Sequence, residues 1–233
     1  MKFQLPRNQQ LQNINIALDA TIRAAAARGG FAAKSSSITI SDIREKILKH
    51  PSPLVIAFIV DNSWSVHVLK TLEQTKGMIL GFLKDASHHG DKVALIAFRH
   101  SRNPGAVVAL PPSKSYLQAE KCLRGIPLSG STPLPDAFWK GYKLLVREKQ
   151  KNNNAIPLLV SISDGIPTFP LKAGGDPYQE LYKICGLIRR QQIQVSIIDT
   201  LTEGKDAEKS CNRRLAALTG GRYLSWKELT AHS

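Results

Sequence analysis

LVIAFIVDNSWS, residues Leu54–Ser65, is the segment from which the fold is predicted. Its first seven residues form a continuous apolar run rich in Val and Ile, which is typical of a strand buried on both faces of a sheet. The run ends in Asp61, Ser63 and Ser65, whose alternating side chains all carry oxygen. Open α/β sheets bind their ligands at the carboxyl ends of the strands, so we expect a ligand site there.

The chemistry of these three side chains indicates which ligand they suit. Carboxylate and hydroxyl oxygens, with no Cys or His among them, favour a hard octahedral cation such as Mg²⁺ or Mn²⁺. Small polar residues after a strand also serve as ordinary turn and N-cap residues. The motif alone therefore leaves both interpretations open.

The Asp-x-Ser-x-Ser pattern after a first apolar strand resembles the metal-ion-dependent adhesion site of von Willebrand factor A domains, the fold of integrin I domains. That site also takes a Thr and an Asp from two later loops. The matching residues here are Thr132, in SGSTPL before an amphipathic helix, and Asp164, in SDG after a second apolar run, IPLLVSIS. The resemblance implies a site formed by five residues: Asp61, Ser63, Ser65, Thr132 and Asp164.

The resemblance also implies a role for each residue. The three hydroxyls would coordinate Mg²⁺ directly, and the two carboxylates would coordinate it directly or through waters. Mg²⁺ commonly retains waters, so one coordination position can remain open for an outside ligand. In von Willebrand A domains this ligand is typically an Asp or Glu of a partner protein.

The pattern of the chain alternates strand and helix from residue 53 onward. We predict strands at 54–60, 93–98, 106–110, 157–163, 195–199 and 222–226, and helices at 66–87, 116–125, 134–149, 178–192 and 207–219. The short link AFRHSRNPGAVVAL predicts a hairpin, and the other links are long enough for crossovers. We therefore predict an α/β, Rossmann-like, doubly wound sheet of six mostly parallel strands with helices on both faces.

Residues 1–50 differ in character from the predicted von Willebrand A domain at 51–233. Apolar residues recur at helical spacing through NINIALDATIRAAAARG, and two glycines follow. After the polar KSSS, Ser41 or Asp42 is a candidate cap for a short helix carrying Ile43, Ile47 and Leu48 on one face. We predict an N-terminal helical arm.

Nearly the whole chain resembles the C-terminal part of the D subunit of magnesium chelatase, without the AAA+ module of that protein. The segments that carry this resemblance are ATIRAAAAR, SDIREKILKHPSPLVIAFIVD, GDKVALIAFR, LSGSTPLPDAF, LVSISDGIPTFPL and LAALTGGRYLSW. The resemblance implies assembly with an AAA+ ATPase similar to the I subunit of chelatase, in support of metal insertion into a tetrapyrrole. A large chelatase subunit is a further candidate partner.

Two positions depart from this family. The residue before the second Ser of the motif is usually Gly, but it is Trp64 here, and Val66 replaces the usual Met. The indole could cover the metal or fold onto a neighbouring loop. It could also anchor a partner, because Trp is enriched at interface hot spots.

The charge of the chain is strongly positive: 32 Lys and Arg against 18 Asp and Glu give +14. This excess favours an acidic partner surface, although it also fits a solvated basic surface. No nucleic-acid-binding motif accompanies it, so nucleic acid is a less favoured partner. The three widely spaced Cys residues, the absence of a signal-peptide pattern and the lack of a membrane-length apolar run predict a reduced, cytoplasmic location.

The sequence contains no motif for ATP hydrolysis or for a serine hydrolase. It lacks both the GxxxxGK[ST] phosphate loop and the GxSxG elbow, so we expect a non-catalytic subunit. The leading hypothesis is a metal-dependent interaction module of the chelatase-D kind. The alternatives are a generic von Willebrand A adaptor of a MoxR-like AAA+ ATPase, without tetrapyrrole chemistry, and a nucleic-acid-binding module.

Overall fold

The computed structural model describes residues 3–4, 45–46, 52–63, 74–84, 91–99, 105–201 and 207–230. The chain divides into two compact units, Met1–Pro51 and Ser52–Ser233. In the described part of the chain, no helix has both the length and the apolar character needed to cross a membrane.

In the first unit, the described residues form a small antiparallel ladder. Strand β1 (Phe3–Gln4) pairs with β2 (Glu45–Lys46). The short helix predicted after Ser41 or Asp42 is therefore wrong at residues 45 and 46, because extended pairing with β1 replaces a helical turn. The longer helix predicted from NINIALDATIRAAAARG lies outside the described residues.

The second unit is built on a six-stranded sheet, which confirms the predicted α/β class. Its strands are β3 (Leu54–Val60), β4 (Lys92–Arg99), β5 (Gly105–Ser113), β6 (Ile156–Ser163), β7 (Gln194–Asp199) and β8 (Arg222–Ser225). They lie in the order β5-β4-β3-β6-β7-β8. Every neighbouring pair is parallel except β4 and β5, which are antiparallel as the short link predicted.

Helices connect these strands. Residues 74–84, here called α1, are helical and fall within the predicted helix at 66–87. The others are α2 (Tyr116–Arg124), α3 (Leu134–Lys151), α4 (Pro177–Arg190), α5 (Asn212–Thr219) and α6 (Trp226–Thr230).

The single helix predicted at 207–219 is wrong, because the structure divides it. Ala207–Lys209 form a short 3₁₀ turn, and α5 begins only after Cys211. The backbone N–H of Cys211 donates to the carbonyl of Gly165, 2.9 Å away, instead of to the carbonyl of residue 207, which would be its partner in a continuous helix. A contact with a distant loop thus sets the start of α5.

Both faces of the sheet are covered, as the uninterrupted apolar run of β3 predicted. Successive side chains of a strand point to opposite faces. Ala57 and Ile59 lie in a buried cluster with Phe138 of α3. Phe58 lies in a second cluster with Ile79 of α1. With helices on both sides, no polar face remains on the central strand.

The three central strands also end together. Val60, the last residue of β3, is in register with Ala97 of β4 and Ile162 of β6. The residues that follow β3 and β6 therefore emerge side by side at one edge of the sheet.

Candidate metal centre

Asp61 continues the β3–β6 ladder by one residue and is then enclosed. Its backbone N–H donates to the carbonyl of Ile162, 3.0 Å away, and the residue is only 3% exposed. Its Oδ1 accepts the backbone N–H of Ser63 at 2.9 Å, which closes a tight turn. The other carboxylate oxygen, Oδ2, is buried and makes no hydrogen bond with the residues that the structure describes.

Ser63 is the second predicted ligand in this turn. It is buried, and it forms an isolated parallel bridge with Ser129 of the loop before α3. Within the described part of the chain its hydroxyl, like Oδ2 of Asp61, has no hydrogen-bond partner. A buried polar atom without a partner costs about 1–3 kcal/mol, so two of them in one turn indicate a place for an outside ligand.

Asn62 holds this turn in place, a role that the sequence did not reveal. Its side-chain NH₂ donates to the carbonyls of Phe98 and Pro127, and its Oδ1 accepts the N–H of Phe98 at 2.8 Å. Its own carbonyl accepts the N–H of Ser129 at 2.7 Å. Asn62 therefore joins the turn to the end of β4 and to the loop before α3. Its partners are distant in sequence, so no local pattern indicates this role.

Thr132 lies in the loop that leads into α3, and this loop is tied to the one after β6. The N–H of Thr132 donates to Oγ1 of Thr168 at 2.8 Å, and its carbonyl accepts the N–H of Thr168 at 3.1 Å. Thr132 is 4% exposed. Thr168 is a second positioning residue that could not be identified from the sequence.

Asp164 follows β6 and is as buried as Asp61. Its Oδ1 accepts the N–H of Ile166 at 3.1 Å. Burial, and then the negative charge of Asp164, raise the pKa of Asp61 to about 7. Two buried carboxylates therefore repel each other at this edge of the sheet, and a cation between them would reduce that repulsion.

The loop after Asp164 leaves no room for a side chain at Gly165. This glycine has φ +73°, and a Cβ there would lie 2.5 Å from Cγ of Asn212. The amide of Asn212 donates to the carbonyl of Ser163 at 2.9 Å, and its Oδ1 is buried without a partner among the described residues. Asn212 thus fixes the backbone before Asp164 and lies against Gly165 after it, a role not evident from its place in the sequence.

The structure places four of the five predicted ligands on loops that it joins at the carboxyl edge of the sheet. They are Asp61, Ser63, Thr132 and Asp164. Ser65 lies outside the described residues, as does Trp64. In the ranges described, no three His, Cys, Asp or Glu side chains cluster as a metal site, so hydroxyl ligands would be essential. This oxygen-only donor set fits Mg²⁺ or Mn²⁺.

Comparison with known proteins places the chain among its relatives. Residues 56–166 match the model of the von Willebrand factor type A domain. An uncharacterized protein of Methanocaldococcus jannaschii, MJ0910, is 38% identical over 162 residues, which are 70% of this chain and 90% of that protein. The magnesium-chelatase 67 kDa subunit of Chlorobaculum parvum is 30% identical over 216 residues, which are 87% of this chain.

Solved structures show the same fold. The VWA domain of SpRpn10 aligns with a TM-score of 0.54 at 12% identity, covering 78% of this chain and 95% of that one. A manganese-loaded TRAP protein of Plasmodium vivax aligns with a TM-score of 0.51 at 15% identity, covering 77% of this chain and 71% of that one. At these identities the likeness concerns the fold alone.

The chain spans 33% of the length of the Chlorobaculum parvum protein that it matches. A 60 kDa magnesium-chelatase subunit of Rhodobacter capsulatus is also similar, at 28% identity over 228 residues. The sheet order, the family match and these relatives agree in indicating a von Willebrand A fold. The chain contains a von Willebrand factor type A domain, which the family model matches over residues 56–166, and it is related to the 60 and 67 kDa subunits of magnesium chelatase.

Proposed function

We propose that this protein is a metal-dependent protein-interaction module that binds Mg²⁺ or Mn²⁺ at a metal-ion-dependent adhesion site. The site comprises Asp61, Ser63, Ser65, Thr132 and Asp164. The observation that carries the proposal is the pair of buried oxygens, Oδ2 of Asp61 and Oγ of Ser63, that have no hydrogen-bond partner among the described residues. A bound cation would satisfy both and would offset the repulsion between the two carboxylates.

The donor set suggests how such a module recognises a partner. Three of the five proposed ligands are neutral hydroxyls, so a divalent cation coordinated by them and by Asp61 keeps part of its positive charge. An incoming carboxylate can then complete the coordination once the partner excludes water. We therefore infer that the partner presents an Asp or Glu to the site.

We propose that the partner is an AAA+ ATPase resembling the I subunit of chelatase, with a large chelatase subunit as a further partner. The complex would support insertion of a divalent metal, as substrate, into a tetrapyrrole in the cytoplasm. Similarity to magnesium-chelatase subunits from several bacteria supports this proposal. The chain itself would contribute docking rather than ATP hydrolysis.

A second candidate is an adaptor for a MoxR-like AAA+ ATPase without tetrapyrrole chemistry. The similarity to MJ0910 favours it, because 90% of that protein aligns at 38% identity, so a relative exists that consists almost entirely of the aligned region, whereas the chain spans only 33% of the Chlorobaculum parvum chelatase subunit. Adding a porphyrin and Mg²⁺ to the assembled complex distinguishes the candidates. Formation of the metalloporphyrin supports the first, and an active ATPase complex that leaves the porphyrin unchanged supports the second.

The test of the docking mechanism is a pull-down of the ATPase with Mg²⁺ or with EDTA. We expect recovery to fall in EDTA, and to fall likewise for Asp164→Asn and Thr132→Ala in Mg²⁺. Glu120→Gln is the control, because Glu120 lies on α2 in a surface ion pair with Arg124, away from the site loops. Equal recovery of the ATPase in Mg²⁺ and in EDTA would contradict docking through the bound metal.

Trp64 provides a separate test of how the site is reached. Trp64→Gly restores the residue usual in the family. Tighter association of this variant with the ATPase would mean that the indole covers the metal. Weaker association would mean that the indole anchors the partner.

A further inference from the structure

A groove of about 350 Å³ lies between helix α3 and the edge strand β5. Its α3 wall consists of residues at positions 140, 143, 144, 147, 148 and 151. These spacings of three and four residues define one face of the helix. The β5 wall consists of Val108, Pro111 and Pro112.

The α3 wall is strongly basic. Four of its residues are cations, namely Lys140, Lys143, Arg147 and Lys151, and Glu148 is its one acid. Both oxygens of Glu148 are already occupied by lysines. The wall therefore has an excess of positive charge along its whole length.

The two central cations of this wall have no acidic partner in the part of the chain that the structure describes. Lys140 is paired with Asp136, and Lys151 with Glu148. Lys143 and Arg147 are exposed, and neither forms an ion pair with any acid in the described ranges. Lys143 lies over the ring of Trp139, 5.3 Å from its centroid. These two side chains are available to bind an outside anion.

The opposite wall is apolar and offers few backbone donors. Val108 is 36% exposed on the edge of the sheet. Pro111 and Pro112 have no N–H, so an added strand could not pair along this part of β5. Leu144 contributes further apolar surface from α3. An occupant would therefore be held by its side chains, with acidic groups on α3 and apolar groups on β5.

We propose that this groove binds a short, extended, acidic segment of a partner protein that also carries apolar side chains. From Lys140 to Lys151 the helix rises about 16 Å, the length of about five residues of extended chain. The lining contains no aromatic side chain on which nucleic-acid bases could stack. Charge complementarity and the apolar wall together favour a peptide over a nucleic acid.

This groove is separate from the candidate metal centre. Thr132 lies just before the first residue of α3, whereas the groove begins at Lys140, eight residues further along. Strand β5 runs the same way, from Gly105 beside the end of β4 to Ser113 beside its start. The groove therefore extends toward the amino edge of the sheet, and binding there should need no metal.

The experiment uses the full chain in EDTA and a fluorescein-labelled peptide of about twelve residues in which Asp and Glu alternate with Leu and Val. We measure binding by fluorescence anisotropy at about 50 mM NaCl, where surface charge is weakly screened. A peptide with Asn and Gln in place of the acids, and a single-stranded oligo-dT of similar length, are the comparison probes. We expect the acidic peptide to bind more tightly than either.

The decisive variant is Lys143→Glu with Arg147→Glu, which should weaken peptide binding about tenfold. Its matched control is Lys149→Glu with Lys183→Glu, which changes the net charge equally but lies outside the groove. We expect the control to alter binding less than twofold. Circular dichroism and the melting temperature of each variant verify that the fold is retained.

Three results would overturn the proposal. Equal weakening by both double variants would show that only the net charge matters. Loss of binding in EDTA or in Asp61→Ala would place the peptide at the metal centre instead. Tighter binding of oligo-dT than of the acidic peptide would identify a nucleic-acid surface.

Discussion

Replacing Asp61 with Asn should stabilise the protein without metal and abolish its stabilisation by metal. In the absence of a cation, burial and the charge of Asp164 raise the pKa of Asp61 from 3.8 to about 7. The folded state therefore binds this proton more tightly than the unfolded state. Stability contributed by Asp61 is present at low pH and is lost as the pH rises from about 4 to about 7.

The size of the effect follows from this shift. About three pKa units correspond to about 4 kcal/mol, an upper bound that relaxation of the site reduces. We expect Asp61→Asn to raise the free energy of unfolding in EDTA at about pH 8 by about 1–3 kcal/mol. In the native protein, Mg²⁺ at about 100 times its dissociation constant should add about 2.7 kcal/mol, and in the variant it should add nothing.

Urea unfolding in EDTA and in Mg²⁺ measures both quantities. The matched control is Asp199→Asn, because Asp199 is also buried at the carboxyl end of a strand. Its oxygens accept hydrogen bonds from Tyr223 and Leu201, and it lies outside the proposed ligand set. The control should retain the gain from Mg²⁺. The reasoning is refuted if Asp61→Asn is less stable than the native protein in EDTA, or if it keeps that gain.

Three further predictions concern the surrounding structure. Gly165→Ala should destabilise the protein by about 2–4 kcal/mol. Gly174 has the same φ but open space around it, so Gly174→Ala should cost only about 1 kcal/mol. Urea unfolding of both variants separates steric conflict from backbone strain. Burial alone would raise the pKa of Glu148, but hydrogen bonds and charges from two lysines lower it overall. Glu148→Gln should therefore cost about 1–2 kcal/mol above pH 5, and this loss should shrink as the pH falls through the lowered pKa. Burial raises the pKa of the Cys185 thiol to about 12, whereas Cys122 is partly exposed. Alkylation at about pH 8, followed by mass spectrometry, should therefore label Cys122 well before Cys185.

The predictions that succeeded from sequence depend on local patterns. A seven-residue apolar run has the length of a strand and, without a polar face, must be buried on both sides. The short link after β4 allowed only an antiparallel hairpin. Failures occurred where a distant contact competed with local propensity. Pairing with Phe3–Gln4 makes residues 45–46 extended, and the Cys211–Gly165 hydrogen bond delays the start of α5.

The α/β class, the order of the apolar runs that form the strands, and the oxygen-bearing residues that end two of them all follow from the sequence alone. These properties are carried by residues that are neighbours in the chain. The groups that hold the candidate site together become apparent only in the folded protein. Asn62 contacts Phe98 and Pro127, and Thr132 contacts Thr168, across 36 to 65 residues of sequence. The same holds for the two buried oxygens that lack partners among the described residues. In the unfolded chain water hydrates both of them, and they become buried only when the sheet and its loops close around them.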